Sequence, residues 1–250
     1  MGKVYLVGAG PGAADLITLR AARLLEAADV VFHDALVHPD TLAIAAHARL
    51  VDVGKRFGRI STEQRFINRA LVEAARNHAV VVRLKGGDPM LFGRAQEEID
   101  ALAEAGIECE VVPGVTAAVA AAAALRVSLT RRGIARNVAF VTARHGPGEP
   151  EAEWLAVARA ADTVALYMAS GQAAEIAAQL VSAGRAADTP AVLVENASLP
   201  GERRLATTLA ALRDQPVPRF AGPVLLAVGE VFRDADAEIL PIEQARQKTA

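Results

Sequence analysis

Residues 4–12 read VYLVGAGPG, and this stretch decides the class of fold. Four uncharged residues, rich in bulky apolar side chains, run directly into a glycine-rich turn. Leucines then recur at helical spacing between Asp15 and Ala28, which predicts a helix. A strand, a tight turn and a helix in this order are typical of an α/β unit.

The same alternation of apolar strands and helices continues along the chain. Because the strands are nearly free of polar residues, they predict mostly parallel or mixed sheets flanked by helices. We expect two α/β domains, residues 1–113 and 114–245, with a buried alanine-rich connecting helix between about 112 and 129 and a frayed tail at 246–250. The predicted strands are 4–7, 30–32, 50–53, 80–84, 108–112, 138–141, 163–168, 191–194 and 224–228.

Composition excludes several classes of function. The 250 residues are 52% hydrophobic and 22% charged with a net charge of −2, so the chain can bury a core and carries no overall positive field for nucleic acid or anionic lipid. The longest apolar run, 115–125, is shorter than the ~20 residues of a membrane span. A single cysteine, Cys109, excludes an internal disulfide and fits a reducing cytoplasm. The five histidines lack zinc-type spacing, so we expect no metal.

The first glycine turn has three interpretations. Gly8, Gly10 and Ala13 match the dinucleotide fingerprint, and Asp34 follows at about the distance of a ribose-binding acid. However, Asp15 is predicted to cap the following helix, where its charge would repel a pyrophosphate. The turn could therefore bind a dinucleotide, bind a cofactor without phosphates, or serve only as a structural turn.

A second glycine turn lies in residues 83–94, RLKGGDPMLFGR, at the end of another predicted strand. Paired glycines at this place let a ligand approach the backbone closely. Asp88 could accept hydrogen bonds from the ligand, and the apolar residues after it could form a wall. The structural alternative is a loop in which Asp88 is only a capping residue.

Taken together and in this order, the motifs resemble the tetrapyrrole methylase family over nearly the whole chain. The resemblance implies a two-domain α/β enzyme with a cofactor cleft between the domains, usually a homodimer, that uses S-adenosylmethionine (SAM) and releases S-adenosylhomocysteine (SAH). It also implies methylation of two pyrrole carbons of uroporphyrinogen III, giving precorrin-2. The motifs are residues 7–12, 34–37, 54–56, 64–68, 83–94, 97–98, 113–117, 129–133, 166–168 and 222–231.

The resemblance also assigns residues. It implies Asp34 as proton acceptor and Lys55 as proton donor, although either could instead be a turn acid or a surface charge. Arg94, Glu97 and Arg132 are implied as substrate contacts, and Arg131, which stands where the family often has histidine, adds positive charge for an anionic substrate. The implied cofactor residues are Pro11, Gly86, Gly87, Asp88, Leu91, Phe92, Thr116, Ala117, Met168, Asn196 and Ala197.

Three other functions compete with this hypothesis. A methyltransferase could act on a later precorrin intermediate, a nicotinamide-dependent dehydrogenase could use the first glycine turn, and a SAM-binding regulator could lack turnover. The first differs only in substrate, whereas the second would bind NAD instead of SAH. The third would bind SAM without transferring its methyl group.

Overall fold

The computed structural model describes residues 2–54, 64–144, 154–235 and 237. The chain divides into two compact units, Met1–Ala117 and Ala118–Ala250. Each unit is built around one five-stranded sheet. In the described residues, no helix has the length and apolarity needed to cross a membrane.

The first unit contains a parallel sheet with the strand order β3-β2-β4-β1-β5. Alternate residues of β1 point to opposite faces, so Val4 and Leu6 pack with α3 and α4 while Val7 packs with α1. Both faces are therefore covered, as the apolar strands predicted. The elements are β1 (Lys3–Gly8), α1 (Leu19–Glu26), β2 (Val30–His33), α2 (Pro39–Leu42), β3 (Arg49–Asp52), α3 (Gln64–Asn77), β4 (Val80–Lys85), α4 (Ala95–Glu104) and β5 (Cys109–Val112).

The second unit contains a mixed sheet with the order β6-β7-β10-β8-β9. In the described part of this unit, β6 and β7 pair in parallel and the other three pairings are antiparallel. The second sheet is therefore mixed, as the sequence prediction of mostly parallel or mixed sheets allows. The elements are α5 (Ala117–Ala124), β6 (Val138–Thr142), α6 (Trp154–Ala160), β7 (Thr163–Tyr167), α7 (Ala173–Ser182), β8 (Pro190–Glu195), β9 (Arg203–Thr208), α8 (Leu209–Asp214) and β10 (Val224–Val228).

Strand β9 was absent from the sequence prediction. It lies at the edge of the sheet and pairs only with β8. Its sequence, RRLATT, buries only Leu205, so it lacks the apolar run that marks a central strand. An edge strand with charged residues is typical of sheets that avoid pairing with other chains.

The predicted helix from Asp15 to Ala28 is divided. A short 3-10 turn covers Ala14–Leu16, and α1 begins only at Leu19. The residue that caps α1 is Thr18, whose Oγ1 accepts a hydrogen bond from the amide of Ala21 at 3.1 Å. The prediction that Asp15 caps this helix is therefore wrong.

Candidate active site

The two glycine turns meet at one edge of the first sheet. Strands β1 and β4 are parallel neighbours, so their carboxyl ends lie side by side. The amide of Gly10 donates to the carbonyl of Gly87 at 3.2 Å, and the amide of Gly87 donates to the carbonyl of Gly10 at 2.8 Å. The turns therefore form a single backbone structure, which the sequence analysis treated as two.

Three glycines make this close approach possible. A Cβ added to Gly114 would lie 2.2 Å from the carbonyl oxygen of Gly87 and 2.8 Å from the Cα of Gly8. A Cβ added to Gly8 would lie 2.6 Å from the Cα of Gly114. Gly87 also has a φ of +67°, a conformation that glycine adopts without steric cost. No side chain fits at Gly8 or Gly114 without moving the backbone.

Asp88 holds the second turn in place. Its Oδ1 accepts a hydrogen bond from the amide of Met90 at 2.8 Å, and its Oδ2 accepts one from the amide of Gly114 at 2.9 Å. The structural role that the sequence left as an alternative is thus present. A carboxylate oxygen has further acceptor capacity, so these bonds leave room for a ligand donor as well.

Gly86 differs from its neighbour because it borders open space. Among the residues that the structure describes, a Cβ added there would meet the Cβ of Leu36 alone, at 3.9 Å. After the turn, Leu91 is half-buried, and Phe92, with a φ of 52°, leaves 42% of its surface exposed. An open backbone surface beside exposed apolar side chains is suited to a small organic ligand.

The remaining predicted cofactor residues of the first unit lie in connected segments. Thr116 follows Gly114 in the chain, and its Cα would lie 3.8 Å from a Cβ on Gly87. Pro11 belongs to the first glycine turn, next to Gly10, and Ala117 is the first residue of α5. The structure therefore gathers this part of the predicted set around the joined turns.

The geometry does not support a dinucleotide at the first turn. Binding of a pyrophosphate by this fingerprint requires the glycines to lead directly into a helix N-terminus. Here residues 13–18 separate Gly12 from the start of α1 at Leu19, and Thr18 caps that helix. The fingerprint is therefore matched in sequence but not in structure.

Asp34 immediately follows β2 and begins a tight turn. Its carbonyl accepts a hydrogen bond from the amide of Val37 at 3.2 Å, and its side chain is 32% exposed. Its Oδ1 accepts a hydrogen bond from Nη2 of Arg83 at 2.5 Å. Gly54 packs against the same turn, because a Cβ there would lie 1.9 Å from the amide nitrogen of Ala35. Lys55, the predicted proton donor, lies outside the described residues.

A buried ionic cluster lies behind Asp34, and its role is not predicted by the sequence motifs. Glu98, which is fully buried, accepts hydrogen bonds through Oε1 from Nε of Arg83 and Nζ of Lys85, each at 3.0 Å. Its Oε2 accepts a second bond from Lys85, also at 3.0 Å, and Gln64 donates to Oε1 at 3.0 Å. The signal in the sequence was two charges flanking Leu84 in an otherwise apolar strand, since buried charges need partners.

The charges of this cluster are coupled. Burial, reinforced by the positive charge of Arg83, lowers the pKa of Lys85 from 10.5, while attraction to Glu98 and Asp34 opposes the change. The cluster and Asp34 together contain two cations, Arg83 and Lys85, and two carboxylates, Asp34 and Glu98, so their charges balance. Removing one partner would leave an uncompensated charge, which is the costly case for buried ions.

In the second unit, the predicted cofactor residues lie at one edge of the sheet. Met168 directly follows β7, with a φ of 58° and 40% of its surface exposed. Asn196 and Ala197 directly follow β8. Both strands run antiparallel to β10, which separates them, so they end at the same edge. These residues are therefore two strand spacings apart, roughly 10 Å.

Glu195 fixes the turn that contains Asn196. Its carboxylate accepts hydrogen bonds from Arg203 at 2.5 Å and from the amides of Ala221 and Gly222 at 2.6 and 2.7 Å. Burial alone would raise the pKa of Glu195, but these donors outweigh it and hold the pKa below its usual value. Asn196 in turn lies against Gly222, where a Cβ would be 1.9 Å from its Oδ1.

The predicted substrate residues are exposed. Arg94 donates to both carboxylate oxygens of Glu97, each at 2.7 Å, and this pairing lowers the pKa of Glu97. Arg131 and Arg132 lie on a turn that is closed by hydrogen bonds between the backbones of Arg131 and Ala135 at 2.9 and 2.8 Å. Each guanidinium is accessible to an anionic ligand.

Known proteins match this chain over most of its length. The sequence profile of the Tetrapyrrole (Corrin/Porphyrin) Methylases matches residues 3–213. The chain is 49% identical over 234 residues to uroporphyrinogen-III C-methyltransferase from Pseudomonas aeruginosa, covering 93% of this chain and 95% of that protein.

Solved structures agree with the sequence matches. The crystal structure of uroporphyrin-III C-methyltransferase from Thermus thermophilus complexed with S-adenosylhomocysteine has a TM-score of 0.81 and 40% identity, covering 93% of this chain and all of that one. Cobalt precorrin-4 methyltransferase has a TM-score of 0.79 at 30% identity, covering 92% of this chain and 95% of that one.

Proposed function

Because this chain belongs to the tetrapyrrole methylases, we propose that it transfers methyl groups from SAM to two pyrrole carbons of uroporphyrinogen III, giving precorrin-2. The observation that carries the proposal is 49% identity, over nearly the full length of both chains, to an enzyme named for this reaction. Identity to an enzyme named for a later precorrin is lower, at 30%, which favours uroporphyrinogen III as the substrate.

We propose that SAM binds at the joined glycine turns. Its sulfonium group supplies an electrophilic methyl. At Gly86 the nearest described atom to an added Cβ is the Cβ of Leu36, at 3.9 Å. This open backbone would admit the methionine part, and Leu91 and Met168 would contact the adenine. Thr116 would hydrogen-bond an adenine edge. The other residues proposed for this site are Pro11, Gly87, Asp88, Phe92, Ala117, Asn196 and Ala197.

Asp34 is proposed as the proton acceptor. After a pyrrole carbon gains a methyl group, the ring must lose a proton, and a carboxylate within reach can accept it. The Asp34 side chain is partly exposed, and its Oδ1 is held by Arg83. Lys55 is proposed as the proton donor. Because methyl transfer itself needs only positioning of the two reactants, these two residues would supply the proton chemistry of the site.

The substrate's acetate and propionate groups need cationic partners. Guanidinium groups bind carboxylates through paired hydrogen bonds. We propose that Arg94, Arg131 and Arg132 bind these groups and that Glu97 orients Arg94, to which it is paired at 2.7 Å. This arrangement would supply local positive charge on a chain whose net charge is −2.

Two assays test the proposed function. Purified protein with SAM should convert uroporphyrinogen III to a dimethylated product under anaerobic conditions, and it should act far more slowly on a later precorrin. SAH should raise the melting temperature while NAD leaves it unchanged, because only a true ligand stabilises the folded state. Binding of SAH without any methyl transfer in a single turnover would instead support a regulator.

Replacing Gly86 with alanine is expected to weaken SAH binding about tenfold, or ~1.4 kcal/mol. The added methyl group enters open space in the free protein, where its nearest contact is 3.9 Å away, but would meet the ligand when it is bound. Stability without ligand should be unchanged. The measurements are calorimetric titration with SAH and thermal unfolding of the free protein.

The matched control is Gly106→Ala. Gly106 also borders open space but has a φ of +67°, so an added Cβ should lower stability through backbone strain and leave SAH affinity unchanged. Equal SAH affinity in the Gly86 variant and the unmodified protein would show that the ligand does not touch this turn.

We further propose that the protein is a cytoplasmic homodimer. Family resemblance supports the dimer, and a single cysteine, Cys109, fits a reducing compartment. Light scattering after size-exclusion chromatography should give twice the chain mass of 26.1 kDa.

A further inference from the structure

Arg83 occupies an unusual place between two carboxylates. It is 2% exposed and lies in β4, behind the turn that carries Asp34. Its Nε donates to Oε1 of Glu98 at 3.0 Å, and its Nη2 donates to Oδ1 of Asp34 at 2.5 Å. A third nitrogen, Nη1, donates to the carbonyl of Leu84 at 3.2 Å. Nη1 also donates to the carbonyl of Phe32 at 3.5 Å, so all three nitrogens of one planar group are held.

This geometry constrains the Asp34 carboxylate. Because the guanidinium is planar and its nitrogens are fixed relative to one another, anchoring Nε and Nη1 fixes the position of Nη2. The Nη2 atom then holds one oxygen of Asp34. Of the residues that the structure describes, none donates a hydrogen bond to the other oxygen, Oδ2.

The anchor of Arg83 is itself rigid. Glu98 is fully buried in α4 and receives further hydrogen bonds from Lys85 and Gln64, all at 3.0 Å. An exposed ion pair exchanges readily with water, whereas a buried, fully hydrogen-bonded one keeps its geometry. The cluster therefore connects a fixed point in the protein interior to a partly exposed carboxylate.

We infer that Arg83 is a positioning residue for the reaction, which holds Oδ1 of Asp34 so that Oδ2 faces the substrate carbon that loses its proton. Glu98 acts one step further back, by fixing Arg83. The inference rests on the proposed function, because it assumes that Asp34 accepts that proton. It extends the proposal by assigning a role in turnover to Arg83 and Glu98, which are buried behind Asp34.

The test is a double-mutant cycle. Arg83→Lys retains the positive charge, but its single nitrogen cannot occupy the positions of both Nε and Nη2, from which Arg83 contacts Glu98 and Asp34. It should lower kcat about 30-fold, with KM values for SAM and uroporphyrinogen III within about threefold of the unmodified protein. In an Asp34→Asn background the same substitution should lower kcat by less than about threefold, because residues that act through one another are not additive.

Glu98→Asp provides a second variant in case the first does not fold. It preserves the negative charge, but its side chain is one methylene group shorter, so the carboxylate no longer reaches Arg83 at the same position. We expect kcat to fall about tenfold in the otherwise unmodified protein and to change little in the Asp34→Asn background. Leu71→Ala is the matched control for stability, since Leu71 is fully buried in α3 and packs in the same core. It should lower the melting temperature and leave kcat unchanged at temperatures well below unfolding.

Each outcome separates the inference from the function on which it rests. Equal losses in the two backgrounds, with a normally active unmodified protein, would overturn only the positioning role. Full activity of the Asp34→Asn variant would overturn the assignment of Asp34 together with that role. A lack of methyl transfer by the unmodified protein would overturn the proposed function and the inference with it.

Discussion

Asp34→Asn is expected to lower the rate of methylation by about 10²- to 10⁴-fold, the usual contribution of a general base. Asparagine has nearly the same shape as aspartate and can still accept the hydrogen bond from Arg83 that Oδ1 accepts at 2.5 Å. It has no carboxylate to receive the proton that the methylated ring loses. Single-turnover methylation under saturating SAM measures the effect, and SAH titration should show unchanged affinity.

The control for this variant is Asp40→Asn. Asp40 lies in the first turn of α2, close to Asp34 in the chain, and its side chain is 78% exposed. Removing that charge should leave the methylation rate within about twofold of normal, since exposed ion pairs contribute little. If the Asp34 variant methylates at the normal rate, another group accepts the proton.

Gly114→Ala is expected to have the largest effect on stability, about 3 kcal/mol, because overpacking against backbone is not relieved by rotating a side chain. The added Cβ would lie 2.2 Å from the carbonyl oxygen of Gly87 and 2.8 Å from the Cα of Gly8. The backbone must therefore separate where the two glycine turns join, and SAH binding should be lost with it. Urea denaturation and SAH titration measure the two effects.

Gly86→Ala is the comparison for this substitution. It adds the same methyl group to the turn against which Gly114 packs, but into open space, and should leave the free energy of unfolding within about 0.5 kcal/mol of normal. A Gly114 variant as stable as the Gly86 variant would mean that the close contact among the three glycines is relieved at little cost.

The sequence predicted the first unit better than the second, for a physical reason. Strands such as β1 and β4 are covered on both faces, so they appear as apolar runs that are visible without any structure. Strand β9 lies at a sheet edge and buries one residue, so it lacks an apolar run. The direction in which a strand pairs depends on how the chain connects it to its neighbours, and a local sequence pattern does not contain that information. The sequence predicted parallel or mixed sheets, but for the same reason it did not specify which pairs of strands in the second sheet are antiparallel.

The start of α1 illustrates a limit at shorter range. Asp15 and Thr18 are both residues that cap helices, and both precede leucines at helical spacing. Thr18 is the cap because Ala21 presents its amide at 3.1 Å, while Asp15 belongs to a separate 3-10 turn. The sequence does not show which of two nearby capping residues begins the helix. Helix boundaries are therefore the least certain part of a prediction from sequence.

The candidate site divides in the same way. The glycine turns were visible as motifs, but their junction through Gly10 and Gly87 depends on β1 and β4 being neighbours in the sheet. The roles of individual residues came from family resemblance, because an aspartate after a strand is equally compatible with a turn. The contacts of Arg83 with Asp34 and with Glu98 could not be predicted from the sequence. The three residues are separated along the chain and meet only in the folded protein.

The pairing of Gly10 with Gly87 has a consequence for how the site opens. Both hydrogen bonds join the main chains of the same two residues. Separating the turn after β1 from the turn after β4 therefore breaks both bonds. Deuterium uptake at these two amides should therefore rise together, with one shared opening free energy, although the segments are remote in sequence. A ligand seated on either turn would then slow exchange in both.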